Sequence, residues 1–175
     1  VRHLNVNHSA HVFDAGYRSM ADEIRIIDSE FSDITGDVLR LDKEQDDLGI
    51  YNAEYVVIER SRFTNIGGAI AKIYRGGTDE STFGPHLTFN NNEVINTGGS
   101  KRNKYRAGLF LHGVQDTHIE GNAFNNSKPI IIEHTVGEPQ TRLVRNTLID
   151  TDLPVVTETF TGGPSTAIVV DNVVK

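Results

Sequence analysis

The sequence predicts an all-β fold, a right-handed parallel β-helix (a solenoid) of about five to six coils. Short runs rich in Val and Ile are separated by Asn, Gly, Asp and Thr, which is typical of strands joined by turns. Long apolar stripes at helical spacing are missing. The decisive observation is an internal repeat whose units are 24 to 32 residues apart, because such a repeat indicates stacked supersecondary units.

Each unit of the repeat is centred on one apolar anchor residue. The anchors are Phe31, Phe63, Val94, Phe124, Leu148 and Val174. A Ser or Asn stands two residues before every anchor, at Ser29, Ser61, Asn92, Asn122, Asn146 and Asn172. An Asp or Asn stands two residues after the first five anchors, at Asp33, Asn65, Asn96, Asn126 and Asp150. A mostly apolar pair precedes each anchor, and a second pair follows at Leu39/Leu41, Ala71/Ile73, Leu109/Leu111, Ile130/Ile132 and, less clearly, Val155/Val156.

This template describes one coil: a strand, a tight polar corner, a buried anchor, a second polar corner and another strand. A single coil cannot bury its own apolar side, whereas stacked coils share a continuous core and pair each strand with its equivalent in the next coil. Asn side chains at equivalent corners can then form a hydrogen-bonded ladder. An antiparallel sandwich is the alternative. It explains strands and turns, but not Ser and Asn in phase with the anchors.

The repeat also divides the chain. We expect residues 1–20 to be an irregular lead-in, or a short helix over Ala10–Ala21, and residues 21–175 to be the β-helix domain. The chain starts at Val1 and ends inside a strand-like run, so we expect it to be part of a longer chain. The repeat stretches at residues 42–49, 76–85 and 98–106, which we interpret as loops on one side of the stack.

Composition limits the classes of function. The chain has 175 residues, with 17 Lys and Arg against 24 Asp and Glu, and a net charge of −7. We therefore expect no nucleic-acid partner, since such a partner needs a basic surface. The apolar runs are too short for a membrane span, so no membrane partner is expected. The lack of Cys excludes disulfides and thiol catalysis.

Stacking places equivalent residues of neighbouring coils about 4.8 Å apart, so that outward side chains form columns. One predicted column holds Asp42, Tyr74, His112 and Glu133, and the next holds Lys43, Arg75, Gly113 and His134. Acids, bases and a phenol near three loops suit a cleft for a charged sugar chain. The catalytic candidates are Lys43, Arg75, Tyr74, His112, His134 and Glu133. The alternative is structural: a solvated salt lattice, hydrogen-bonded histidines and a packed tyrosine.

Two further clusters suggest binding. The loop with Lys101, Arg102, Lys104 and Arg106 is the one dense basic patch, so Lys101, Arg102 and Arg106 are the substrate-binding candidates, with a solvated surface loop as the alternative. The acidic run Asp42, Glu44, Asp46 and Asp47 has carboxylates suited to calcium but lacks the EF-hand order. His8 and His11 have no evident third ligand for zinc. We assign no metal site to this chain.

Four strings of the sequence resemble polysaccharide lyase family 6, which contains alginate lyases and the dermatan-cleaving chondroitinase. The first is LDKEQDDLGIYNAE, at residues 41–54. The most specific string is YRGGTDESTFGP, at residues 74–85. HGVQ at residues 112–115 and EHTVGEP at residues 133–139 fit the same family. The resemblance covers about residues 21–160 and is to the C-terminal β-helix half of the two-domain alginate lyases.

The resemblance implies β-elimination at a uronic acid. In this family, calcium neutralises the substrate carboxylate, a lysine removes the C5 proton, and an arginine on the adjacent coil assists the leaving oxygen. The family's Glu-rich calcium strand with its Lys-Ser pair, and its Arg-His-Gly one coil later, are not found here. No catalytic residue is therefore carried over, and the resemblance implies an upstream N-terminal β-helix lyase domain that binds the calcium.

Three functions stay open. The chain is a non-catalytic support or substrate-binding half of an alginate-type lyase, or a self-contained lyase, or a carbohydrate-binding or structural β-helix without a lyase link. The self-contained lyase would use Lys43 as base, Arg75 or His112 as acid and Tyr74 to position substrate. The resemblance further implies an acidic polysaccharide such as alginate as partner, a possible homodimer, and a secreted or periplasmic bacterial location.

Overall fold

The computed structural model of the chain describes residues 1–43, 52–76, 84–159 and 164–175. These ranges contain nineteen β-strands and no α-helix. The strands are β1 Asn5–Asn7, β2 Phe13–Asp14, β3 Ala21–Ile27, β4 Glu30–Ile34, β5 Leu39–Leu41, β6 Ala53–Glu59, β7 Arg62–Ile66, β8 Ala71–Tyr74, β9 His86–Asn90, β10 Glu93–Thr97, β11 Leu109–His112, β12 Asp116–Glu120, β13 Ala123–Asn125, β14 Ile130–His134, β15 Gln140–Val144, β16 Thr147–Ile149, β17 Val155–Glu158, β18 Thr166–Val170 and β19 Val173–Val174.

The strands form three parallel sheets that run along the molecule. Sheet I has the order β3-β6-β9-β12-β15-β18, sheet II β1-β4-β7-β10-β13-β16-β19, and sheet III β2-β5-β8-β11-β14-β17. Each strand therefore pairs with the equivalent strand of the next coil, three elements further along the chain. This arrangement confirms the predicted parallel β-helix, and the described residues form one sheet of seven strands and two of six.

The anchors stack in the predicted register. Phe31 pairs with Phe63, Phe63 with Val94, and Val94 with Phe124 along sheet II. The Phe31 and Phe63 rings are parallel, with centroids 5.3 Å apart. Val94 is too small to continue the stack, and Phe89 of sheet I fills the gap at 6.2 Å from Phe63 and 6.0 Å from Phe124. All five residues have no exposed surface, which places the core on this axis.

The first corner, between sheets I and II, carries the predicted ladder. Side-chain oxygens of each coil accept a hydrogen bond from the backbone of the previous coil, at 2.8–3.1 Å. The amides of Asn92, Asn122 and Asn146 also donate to the next Asn side chain and to a backbone carbonyl. The ladder therefore satisfies backbone groups that are buried where the chain turns.

The lead-in differs from the prediction. Residues 1–20 contain β1 and β2, which pair with β4 and β5, so the expected short helix is wrong. Val6 pairs with Phe31, and the Phe13 ring meets the Phe31 ring edge-on at 6.3 Å. Strands are favoured over a helix here because they pair with the backbone N–H and C=O groups at the edges of β4 and β5. They also cover apolar side chains at this end of the core. The Asn52 amide donates to the carbonyls of Gly16 and Ser19, at 3.1 and 2.9 Å, which holds the following turn.

Within the described ranges, no helix is long and apolar enough to cross a lipid bilayer.

Candidate functional site

Three of the predicted site residues form a column on the outer face of sheet III. Parallel pairing of β8, β11 and β14 aligns Tyr74 with His112 and His112 with Glu133. The Tyr74 and His112 rings are nearly parallel, with centroids 4.0 Å apart. His112 Nδ1 lies 2.6 Å from Glu133 Oε2. All three side chains are partly exposed, because alternation along each strand points them away from the core.

Tyr74 is protonated near neutral pH, as an ordinary phenol is, and its surroundings strengthen that preference. Burial, followed by the influence of Tyr105 and the charge of Glu133, raises the pKa of Tyr74 above its ordinary value. The phenol is therefore a hydrogen-bond donor, while Glu133 fixes the orientation of the His112 ring. A donor phenol next to an oriented imidazole suits the recognition of sugar hydroxyls or a carboxylate.

Two members of the second predicted column, Arg75 and His134, are buried. Arg75 is 1% exposed and His134 is 2% exposed, because each follows an outward residue at the end of its strand. His134 Nε2 lies 2.8 Å from the Thr141 hydroxyl. Burial lowers the pKa of His134, partly opposed by Glu158. The structure thus separates Arg75 and His134 from the exposed face that holds Tyr74.

Gly113 of this column is required by its backbone. Its φ is +73°, and an added Cβ would lie 2.7 Å from the Arg75 carbonyl oxygen. The Gly113 amide donates to the Glu133 carbonyl at 3.0 Å, and the Arg75 amide donates to the His112 carbonyl at 2.9 Å. Any side chain at Gly113 would disturb the stacking of three coils.

Asp42, the fourth predicted member of the Tyr74 column, is paired with cations. Its carboxylate lies 2.6 Å from Lys72 Nζ and 3.8 Å from Arg40. Burial acts to raise the pKa of Asp42, but the hydrogen bond and charge of Lys72, with Arg40 and Lys43, outweigh burial and lower the pKa. Lys43 is half-buried, and in the structure its charge acts on Asp42.

Metal ligands do not gather in the part of the chain that the structure describes. In those residues there is no group of three or more His, Asp or Glu side chains that could hold an ion. Of the acidic run considered for calcium, Glu44, Asp46 and Asp47 lie outside the described residues. His11 Nδ1 instead accepts a hydrogen bond from the Asp37 amide at 2.9 Å, and His8 Nδ1 lies 3.1 Å from Asn7 Oδ1.

The basic loop folds back onto sheet III. Asn103 donates to the carbonyls of Gly98 and Ala107, at 3.1 and 2.9 Å, which closes the loop. The Tyr105 ring stacks on Phe110 at 3.7 Å. The three predicted substrate-binding residues, Lys101, Arg102 and Arg106, are exposed.

Sequence reasoning missed two members of this surface. Lys72 and Tyr105 lie together, with the Lys72 ammonium 5.4 Å from the centroid of the Tyr105 ring. The alternation Ala71-Lys72-Ile73-Tyr74 is a signal that Lys72 shares the outward face of Tyr74. No comparable signal marks Tyr105, because its position depends on how the loop folds.

Comparison with known proteins shows similarity to solved structures of one enzyme. No protein-family model matches the sequence, and no curated protein matches it significantly. The structure of the PL6 family alginate lyase AlyGC matches at 54% identity and a TM-score of 0.91 over 94% of this chain. The resemblance to polysaccharide lyase family 6 is confirmed. A structure of an AlyGC mutant matches at 52% identity and a TM-score of 0.94 over 98% of this chain. The chain spans only about a quarter of the AlyGC chains, 23% and 24% respectively.

Proposed function

We propose that this chain is a β-helix domain of an alginate-type polysaccharide lyase, which cleaves a uronate polysaccharide by β-elimination. The observation that carries the proposal is the 54% identity, with a TM-score of 0.91, to an alginate lyase over nearly the whole chain. Identity at this level, over an unbroken stack of coils, supports a shared role as well as a shared fold. Under this proposal the lyase activity belongs to a longer protein of the kind that AlyGC represents, since this chain matches 23% of the AlyGC chain.

Within that protein, we propose that this domain supports or binds substrate while the catalytic domain lies upstream. β-Elimination needs a base that reaches the C5 proton and an acid that reaches the leaving oxygen. Arg75 and His134 are almost fully buried, and His134 contacts Thr141. Both side chains are therefore poorly placed to act on a polymer that lies outside the coil.

Calcium, which the family uses to neutralise the substrate carboxylate, would bind in the upstream domain under this proposal. Asp42 does not fit a calcium ligand, because Lys72 and Arg40 already compensate its charge. Family resemblance also supports a homodimer and a secreted or periplasmic bacterial location.

The absorbance of the unsaturated product tests the proposal. With alginate and calcium, the full-length protein should show a steady rise in absorbance, and this chain alone should give a flat trace. A flat trace for the full-length protein would contradict the lyase proposal and favour a binding or structural β-helix. A rise with this chain alone would contradict the support role.

One observation favours a self-contained lyase as a second candidate. Tyr74 and His112 are in ring contact on an exposed face, and Lys43 lies at the end of the neighbouring coil. If Lys43 is the base, Lys43→Ala should abolish turnover by this chain without changing its unfolding midpoint. Lys175→Ala, which removes an exposed lysine that has no proposed role in the site, is the matched control. Unchanged turnover in Lys43→Ala would exclude this mechanism.

A further inference from the structure

A cleft lies between the basic loop and the first coils of sheet III. It has a volume of about 280 Å³, and its charged and titratable lining residues are His11, Asp37, Arg40, Lys72, Arg102 and Lys104. Pockets for drug-sized ligands are roughly 300–1,000 Å³, so this cleft suits about one sugar ring. We call it the loop cleft.

The charges inside the loop cleft are unequally compensated. Arg40 lies 3.6 Å from carboxylate oxygens of Asp14 and Asp37, and Lys72 pairs with Asp42 at 2.6 Å. Arg102 and Lys104, on the loop side, make no ion pair within the described residues. The cleft therefore presents net positive charge, although the whole chain has a charge of −7.

The lining is held in place before any ligand arrives. Asp37 Oδ1 accepts a hydrogen bond from the Ala69 amide at 2.8 Å, and the Asp37 amide donates to His11 Nδ1 at 2.9 Å. The Lys72 and Lys104 ammonium groups lie 5.4 and 5.3 Å from the centroid of the Tyr105 ring. Cation–π contact with one ring gathers these two charges, and such preorganisation reduces the entropy lost on binding an anion.

The loop cleft shares strand β8 with the Tyr74 column, because Lys72 of that strand lines the cleft. Lys72 and Tyr74 point outward from the same strand and are two residues apart, about 7 Å. The Phe110 ring, on which Tyr105 stacks, lies 6.5 Å from the His112 ring. Tyr74 and His112 therefore lie on the same sheet face as the cation Lys72 that lines the cleft.

We propose that the loop cleft binds the carboxylate of a single uronate residue of an acidic polysaccharide, with Arg102 and Lys104 as the contacting cations. The inference rests on the proposed function and adds a specific binding site to it. It also narrows the predicted binding residues, because Arg102 lines the cleft whereas Lys101 and Arg106 do not.

Calorimetric titration of this chain with an alginate tetrasaccharide tests the site. The Arg102→Glu/Lys104→Glu variant should bind at least about tenfold more weakly, since two charges that face the anion are reversed. The Lys101→Glu/Arg106→Glu variant makes the same change in net charge on the same loop, and should weaken binding by less than about threefold. A carboxyl-reduced tetrasaccharide should not bind.

The proposal is overturned if the two double variants lose affinity equally, if neither loses affinity, or if the reduced sugar binds as well as the acidic one. Lack of binding by the unmodified chain at millimolar tetrasaccharide would overturn it as well. Product absorbance with the full-length protein separates this result from the proposed function. If this chain binds the tetrasaccharide as expected but the full-length protein shows no turnover, only the lyase proposal is refuted. If the full-length protein shows turnover but Arg102→Glu/Lys104→Glu does not weaken binding, only the cleft proposal is refuted.

Discussion

The two polar corners of each coil use the same amide chemistry at very different depths. At the first corner, Asn92 and Asn122 are buried, and each side chain bonds to both a neighbouring amide and a backbone carbonyl. At the second corner, Asn65 and Asn96 are exposed, and the Asn96 amide donates to the Asn65 side chain, at 2.8 Å. The buried amides of the first corner have protein partners in place of water. The exposed amides of the second corner can bond to water instead of to each other.

This contrast shows that a repeated residue does not have a repeated energetic role. A buried partner left without its hydrogen bond costs about 1–3 kcal/mol, whereas an exposed partner turns to water. The second corner selects Asn for another reason. Asn65 and Asn96 have φ of +56° and +53°, a conformation that Asn tolerates better than most residues.

The largest expected effect comes from breaking the buried ladder. Asn122→Ala removes the acceptor of the Asn92 amide and the donor to the Phe89 carbonyl. We expect the free energy of unfolding to fall by about 3 kcal/mol, because more than one buried group is orphaned. Urea denaturation followed by circular dichroism measures the change. A loss below about 1 kcal/mol would show that water enters this corner.

A smaller effect on the free energy of unfolding, which depends on pH, is expected from the buried side chain of His134. Burial lowers the pKa of His134 in the folded state, so the unfolded chain binds the proton more tightly. The contribution of neutral His134 to stability is fully present above the pKa that this residue has in the unfolded chain, about 6.5. It declines as the pH falls below that value toward the lowered pKa of the folded state.

Urea denaturation at pH 7.5 and 5.5 tests this sign. His134→Gln should reduce the difference in stability between the two pH values. His8→Asn, which replaces an exposed ring at φ +55° with a residue that accepts this conformation, is the control and should keep the difference. Equal pH dependence in the unmodified protein and His134→Gln would contradict the expectation.

The smallest effect is expected at the exposed corner. Asn96→Gly removes the amide but accepts the positive φ, so the free energy of unfolding should change by no more than about 0.5 kcal/mol. The same urea denaturation measures it beside Asn122→Ala. A change as large as that of Asn122→Ala would remove the distinction between the two corners.

Much of this fold was predictable because the repeat has several independent markers. The anchors and the first-corner residues are in phase, so one register satisfies both, and the structure has that register. The same register brought Tyr74, His112 and Glu133 together correctly. The short helix predicted in the lead-in was wrong because the strands that contain Val6 and Phe13 are three and two residues long, and such short strands carry little periodic signal.

The site was only partly predictable, for a different reason. Counting columns placed Arg75 directly after β8 and His134 at the end of β14, but did not decide that both are buried. Alternation after Tyr74 and Glu133 indicates an inward direction, yet the Thr141 hydroxyl that contacts His134 comes from a different sheet. Similarly, Arg102 and Lys101 are neighbours on one loop, and only the folded loop shows which of them lines the cleft.

The sequence by itself determined the stacked β-helix and its register, because inward apolar residues and corner amides recur at fixed offsets and are satisfied together only by stacking. Tertiary structure alone decided which charged side chains are accessible and which face the same cleft. Those relations depend on contacts between residues far apart in the chain, such as Lys72 with Asp42 and with Tyr105, and no local periodicity encodes them.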